Sequence, residues 1–372
     1  MRLGFDMGPL TSRRTGVGNF CFSLLKALLE LENPPQIHGL AAGLRSPQLE
    51  ELRDRAQCRY LPLPARAMYQ VWNALRAPSV ETLIGPVDVF HATNYYLPPV
   101  KRAAKVLSIY DVAFLINPEW CSPKIVGPFT RRIRHFAQDA DRILASSEST
   151  KRDVVELLGV PDGKIRVTYG AAEETLAHLP REEAAAHVAD TLRISQPYLL
   201  FVGTIEPRKN VERLAHAFKR IAPDLKHRLV VAGSVGWNAE GALAALSDPA
   251  IAARVTRLGY VPSNSLAALY SAADALVIPS HYEGFGLPVV EAMTCGCPVI
   301  TSNVSSLPEA GGDAAVYCDP GDTDSLSQAI ERVLADSDLR SRMIASGYKQ
   351  ARRFSWRNCA EATFKAYGEV IS

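Results

Sequence analysis

The chain has 372 residues, 47% hydrophobic and 22% charged, with a formal net charge of +2. That length exceeds what one core usually supports and predicts two domains of about 150 to 200 residues, while the composition excludes disordered, fibrous and disulfide-rich classes. The small charge excludes a general nucleic-acid binder, and seven scattered cysteines without CxxC pairing exclude a zinc ribbon and fit a reducing compartment.

Neither the opening MRLGFDMG nor any later run has the apolar length of a signal peptide or membrane span. A cytoplasmic protein is expected, with any membrane contact peripheral to the inner membrane's cytoplasmic face. Short apolar runs alternate with longer amphipathic ones, the pattern of βα units in a doubly wound α/β fold. In the first half, strands are predicted near Leu3 to Met7, Val87 to Ala92, Lys105 to Tyr110, Arg142 to Ser146 and Lys164 to Thr168. A helix is predicted to start with Ser149 as its N-cap and to stop at Gly159 and Pro161. A polar stretch from Ala171 to Ser195 reads as the linker. Beyond it, strands are predicted at Tyr198 to Val202, Leu229 to Ala232, Val255 to Gly259, Ala275 to Ile278 and Val299 to Thr301.

Open parallel sheets bind ligands beyond the carboxyl ends of their strands. After strand ALVIP comes His281-Tyr282-Glu283-Gly284-Phe285-Gly286-Leu287-Pro288-Val289-Val290-Glu291, with Pro288 at a favoured first helical position. Two glycines admit a ligand to the backbone, and the helix N-terminus favours a phosphate. Spacing alone also allows a tight βα turn with a solvated glutamate. After the strand ending at Val202 comes Gly203-Thr204-Ile205-Glu206-Pro207-Arg208-Lys209-Asn210, with Asn210 suited to cap the next helix. The Arg-Lys pair reads either as a diphosphate clamp or as an exposed basic turn. After strand one, Arg13-Arg14-Thr15-Gly16-Val17-Gly18 carries a GxG that lacks the third glycine and acidic residue of an NAD site. His91 and Tyr110-Asp111 end two further strands.

Taken together these segments resemble the family-4 retaining glycosyltransferases of the GT-B fold. The resemblance rests on the Glu283-x7-Glu291 pattern around GFGLP, on VGTIEPRKN, on GYVP from Gly259 to Pro262, on SNVSSLPEAGG from Ser302, and on the final FSWRNCAEAT. It implies two Rossmann-like domains facing each other across a cleft: 1–170 on the acceptor side, 196–352 on the donor side, and 353–372 as a helix returning to the first. It also implies that Arg208 and Lys209 neutralise the diphosphate of a nucleotide-sugar donor, that Glu283 contacts the transferred sugar, and that Glu291 holds the ribose. Gly16, Gly18, Gly203, Gly233, Tyr260, Val261, Gly284, Phe285, Gly286, Leu287 and Val289 are the other implied donor contacts. Many relatives carry His-Asp where this chain has Tyr110-Asp111. His91 then takes part of that catalytic role, with Tyr110 and Asp111 on the acceptor side, because HATNYYLP is similar to a subgroup of bacterial polysaccharide mannosyltransferases and rhamnosyltransferases.

The resemblance thus implies front-face transfer with retention, mannose from GDP-mannose as the likeliest-matching subgroup substrate, and a saccharide or polyprenyl-diphosphate-linked acceptor. No cofactor or metal is expected, because the two cations stand in for one. A covalent Glu283 intermediate is the rival mechanism. A nucleotide-sugar epimerase or hydrolase, or a non-catalytic sugar-nucleotide-binding module, are the rival functions. Lys124, Arg131, Arg132 and Arg134 with Phe129, Ile133 and Phe136 read either as a basic amphipathic surface for anionic lipid or as a solvated helix face over core.

Overall fold

The computed structural model describes residues 1–11, 16–49, 52 and 54–371 and forms two parallel-sheet α/β units. The first unit comprises Met1–Leu115, Lys124–Gly170 and Ser355–Ser372. Its sheet contains β1 (Arg2–Asp6), β2 (Gln36–Ala42), β3 (Ala56–Leu61), β4 (Val89–Ala92), β5 (Ala104–Ile109), β6 (Arg142–Ala145) and β7 (Ile165–Val167). These lie in the order β3-β2-β1-β4-β5-β6-β7. The second unit comprises Ile116–Pro123 and Ala171–Phe354. It holds β8 (Tyr198–Val202), β9 (Arg228–Ala232), β10 (Val255–Gly259), β11 (Ala275–Ile278), β12 (Val299–Ser302) and β13 (Ala315–Cys318), in the order β10-β9-β8-β11-β12-β13.

In both sheets the strand order reverses beside the first strand of the unit, between β1 and β4 and between β8 and β11. Such a reversal leaves a crevice at the carboxyl ends, because the two flanking crossovers leave in opposite directions. The central strands are apolar on both faces, as helices cover each side: Leu199, Leu200, Leu276 and Val277 are wholly buried. Edge strands are partly wetted and mix polar with apolar residues, as in AQCRYL of β3 and VTRLG of β10. The segments Gln36–Ala42, Ala56–Leu61 and Ala315–Cys318 were not among the predicted strands for this reason, being interrupted by His38 and Gly39, by Gln57 and Arg59, or simply short.

Three boundaries differ from the sequence reading. The stretch 171–195 is no linker: helix Arg181–Leu192 packs on helix Ser263–Ala272 within the second unit, burying Ala184 and Val188. The short turn Ile116–Pro123 also belongs to the second unit, where Trp120 stacks on His281 with ring centroids 5.6 Å apart. The returning segment starts at Ser355 rather than at 353, and helix Trp356–Ile371 packs on helix Gly16–Leu29. Ser147, not Ser149, caps helix Glu148–Leu158, its hydroxyl accepting from the Thr150 N–H at 3.0 Å, while Gly159 ends the helix in the left-handed conformation as predicted. Among the described residues no helix is long and apolar enough to cross a membrane.

Candidate functional site at the second strand reversal

Strand β8 runs into a single helical turn, Pro207–Lys209, and neighbouring β11 runs into the loop that carries Glu283. The strand reversal therefore brings together residues about 75 positions apart. Glu283 is 6% exposed. Its Oε1 accepts from Lys209 Nζ at 2.6 Å and from Ser280 Oγ at 2.7 Å, and its Oε2 accepts from Arg208 Nη1 at 2.8 Å. Arg208 also donates to the Tyr282 carbonyl at 2.8 Å and to Glu206 Oε1 at 2.9 Å. Burial alone raises the Glu283 pKa, but Lys209 and Arg208 outweigh it and hold the carboxyl at about 2. Burial pushes the neighbouring Glu206 carboxyl upward against the same two cations.

The Glu283 backbone is fixed as firmly as its side chain. Its N–H donates to Ser305 Oγ at 3.0 Å, and Ser306 Oγ donates to its carbonyl at 2.8 Å. Glu283 thus stands inside the crevice as an anchor for both cations, rather than as a solvated glutamate on a tight turn. Lys209 has three N–H donors and spends one on this carboxylate, so its ammonium retains donors for an incoming anion. Asn210 takes the N-cap position of helix Val211–Ile221 but does not cap it. Its amide instead donates to the Pro279 and Pro320 carbonyls, both at 2.9 Å, and ties the clamp turn to the end of β11.

The glycine loop ends at Gly286, whose φ of +104° is open to glycine and strained for other residues, and helix Leu287–Thr294 follows with Pro288 second rather than first. Phe285 packs edge-on against Phe354 at 5.0 Å and holds the loop down. Val289 does not offer its amide to a ligand, since that N–H turns back to the Gly286 carbonyl at 2.9 Å. Leu287 stands at the first helical position, where an α-helix leaves the backbone N–H without an intrahelical acceptor. Glu291 receives the Tyr270 hydroxyl at 2.8 Å, and burial pushes its carboxyl up to about 7. Gly203 and Gly233 end β8 and β9 where two backbones touch: a Cβ on Gly233 would lie 1.9 Å from the Gly203 carbonyl oxygen. Tyr260 is exposed and Val261 half-buried, just past β10 at the sheet's edge.

In the first unit several expectations fail. His91 is wholly buried and both ring nitrogens are engaged, Nε2 with Ser108 Oγ at 2.8 Å and Nδ1 with Tyr367 Oη at 2.7 Å. Burial pushes its pKa down to about 3, so a catalytic role is replaced by a structural one, joining β4, β5 and the final helix. Tyr110 packs edge-on against Phe20 at 5.0 Å, and burial raises its phenol well above the usual range. Asp111 accepts from the Ala113 N–H at 3.0 Å and so starts a helical turn. Gly16 and Gly18 form the first turn of helix Gly16–Leu29 rather than a loop, while Arg13, Arg14 and Thr15 lie outside the described residues. Ile133 and Phe136 face the core, which removes the apolar half of the amphipathic surface; the Lys124 side chain lies outside the described residues. The sequence reading missed Asp6, which ends β1 at the first strand reversal. Its Oδ1 accepts from the Gly8 N–H at 2.9 Å, and burial raises its carboxyl to about 6.

Comparison with known proteins bears on this geometry. The family model for glycosyl transferases group 1 matches residues 186–350, and that for Glycosyltransferase Family 4 matches residues 14–173. O-antigen chain mannosyltransferase B of Escherichia coli is 33% identical over 384 aligned residues, covering 99% of each chain. The serotype-specific mannosyltransferase WbdA of the same organism is 30% identical, over 70% of this chain and 33% of that longer protein. Among solved structures, sucrose-phosphate synthase from Thermosynechococcus elongatus superposes with a TM-score of 0.77 at 19% identity, covering 99% of this chain and 98% of that one. Anabaena HepE in complex with UDP and glucose superposes with a TM-score of 0.75 at 16% identity and 99% coverage of each chain. With a full-length relative above 30% identity and two family models dividing the chain between its two units, this protein belongs to the family-4 glycosyltransferases of the GT-B fold and is similar to bacterial mannosyltransferases.

Proposed function

We propose that this protein transfers mannose from GDP-mannose, with retention of configuration, to a saccharide acceptor in the building of a surface polysaccharide. The observation that carries the reading is the convergence of Arg208 and Lys209 on buried Glu283 at the second strand reversal. Cleavage of the donor develops negative charge on the departing diphosphate. A cation about 4 Å from it contributes on the order of 4 kcal/mol at an effective dielectric of 20, before desolvation is subtracted. Arg208 and Lys209, already oriented by Glu283, spend little reorganisation in meeting that charge, and the Leu287 amide adds a neutral donor.

On this reading Glu283 serves the reaction by holding the cations and meeting a sugar hydroxyl. Three donors occupy its oxygens, which makes it a poor nucleophile and favours front-face attack, with a diphosphate oxygen taking the acceptor proton. Glu291 accepts from the donor ribose, and Tyr270 orients it. Mannose is favoured by the E. coli relative, an O-antigen chain mannosyltransferase that aligns over the full length, and a nucleotide diphosphate by the UDP held in HepE. The reading places the protein in the cytoplasm and assigns the neutralising role of a metal to the two side chains.

Incubating the purified protein with radiolabelled GDP-mannose, lipid-linked saccharides from a producing cell and excess EDTA tests the proposal. Labelled, chloroform-soluble product with an α-mannosyl linkage is expected. Release of free mannose alone, or a strict requirement for a divalent metal, would contradict it.

A further inference from the structure

The first unit has its own pocket, of about 260 Å³, whose chemistry differs from the crevice described above. Its floor is aromatic. Tyr96 stacks on Tyr69 with centroids 4.0 Å apart and meets Phe136 edge-on at 4.9 Å, with Trp72 5.9 Å away. Its rim is basic, formed by Arg76, Lys101, Lys105 and Arg132 with His135, against the single carboxylate Asp139. Lys105 satisfies that carboxylate at 2.8 Å. Among the described residues, the side chains of Arg76, Lys101 and Arg132 form no ion pair with a carboxylate, although the Lys101 backbone N–H donates to Glu81 Oε1 at 2.8 Å, which leaves three cationic side chains lining one cavity. Arg76 donates to His135 Nε2 at 3.2 Å, which holds its guanidinium at the rim.

Like charges gathered without counter-charges repel one another and cost stability, so their convergence is the signature of an anionic ligand. The adjoining surface is apolar. Helix Ala65–Leu75 places Trp72 at the pocket, with Arg76 capping the helix one turn on, and an adjacent stripe carries Val71 and Leu75 at the same i, i+4 spacing. Val71 is 39% and Leu75 69% exposed, although both side chains are ones that folding usually buries. An anion hole beside an uncovered apolar stripe matches an amphiphile with an anionic head.

We propose that this pocket is a second ligand site, in which Arg76, Lys101 and Arg132 bind the phosphate or diphosphate head of a lipid whose tail lies along Val71 and Leu75. The aromatic floor excludes water below the head and strengthens each charged hydrogen bond. Identifying that lipid with the carrier of the saccharide acceptor rests on the function proposed above; the binding itself does not.

Farnesyl diphosphate, inorganic diphosphate and farnesol, each titrated calorimetrically below the lipid's micelle concentration, form the test. Farnesyl diphosphate is expected to bind at least tenfold more tightly than either fragment. Arg132→Gln and Lys101→Gln should each weaken it about tenfold or more, the loss of one charge-assisted contact. Leu75→Ser should weaken farnesyl diphosphate and leave inorganic diphosphate unchanged, whereas Lys209→Ala should leave farnesyl diphosphate bound as in the wild type and remove only the share of inorganic diphosphate that binds at the second strand reversal. Unchanged circular dichroism in each variant keeps the comparison valid. Equal affinity for inorganic diphosphate with and without the tail would reduce the pocket to a free-anion site and overturn the lipid assignment. Loss of farnesyl diphosphate binding in Lys209→Ala instead of Arg132→Gln would place the ligand in the other unit and overturn the proposal, leaving the transferase reading intact.

Discussion

The two strand reversals occupy the same position in two similar sheets and have opposite chemistry. Between β8 and β11 two cations share a buried carboxylate whose pKa is held at about 2, with Lys209 keeping donors for a further anion. Between β1 and β4 the strand ends carry Asp6, Thr93 and His91, with no cation among them: Thr93 Oγ1 donates to the Asp6 carbonyl at 2.9 Å, and His91 is sealed by Tyr367. Topology therefore locates two crevices, and charge selects between them. Among the described residues a diphosphate finds compensating charge in the second, whereas the first offers a carboxyl raised to about 6 by burial, suited to hydroxyl groups rather than phosphates.

The largest effect should come from removing charge at the second crevice. Lys209→Ala is expected to lower mannosyl transfer by about 10² to 10³ in kcat, the loss typical of one preorganised transition-state donor, with the fold unchanged by circular dichroism. Near-normal turnover in that variant would remove the distinction between the crevices. A smaller, purely structural effect is expected in the first unit. Tyr367→Phe leaves His91 Nδ1 buried without its partner and should cost about 1–3 kcal/mol by urea denaturation, while GDP-mannose affinity stays as it was. A donor affinity that falls with Tyr367→Phe would instead return His91 to the site.

The smallest effects are in pH dependence and have opposite signs in the two crevices. The folded pKa of Glu283 lies below its ordinary 4.5, so its contribution to stability is present above that value and lost as pH falls from 4.5 toward 2. Asp6 is raised from 3.8 to about 6, so its contribution is full below 3.8 and lost as pH rises through 6. Melting temperature against pH should therefore fall less steeply between 4.5 and 2 in Glu283→Gln than in the wild type, and decline less between 4 and 6 in Asp6→Asn.

The difference between the crevices was only half legible in the sequence. Central strands such as YLLFV and ALVI read clearly because both faces are buried, and the glycines, Pro207 and Pro288 punctuate the strand ends. Edge strands escaped because their wet faces carry Arg59 and Gln57, and helix Arg181–Leu192 read as linker because only Ala184 and Val188 mark its buried face. Arg208, Lys209 and Glu283 were found because each follows a strand, but the sequence did not show that the carboxylate anchors the cations, since that pairing spans about 75 residues. His91 follows a strand as well; what disqualifies it is Tyr367, 276 residues away. Asp6 offered only a carboxylate at the end of β1, a signal that many solvated residues share.

Calorimetric titration of GDP-mannose into the wild-type protein and into Lys209→Ala and Asp6→Asn tests the central claim most directly. Binding that weakens at least tenfold in Lys209→Ala and stays within twofold of wild type in Asp6→Asn is the predicted result, tenfold corresponding to about 1.4 kcal/mol. Equal binding to wild type and Lys209→Ala, or loss confined to Asp6→Asn, would contradict the assignment of the donor diphosphate to the second strand reversal.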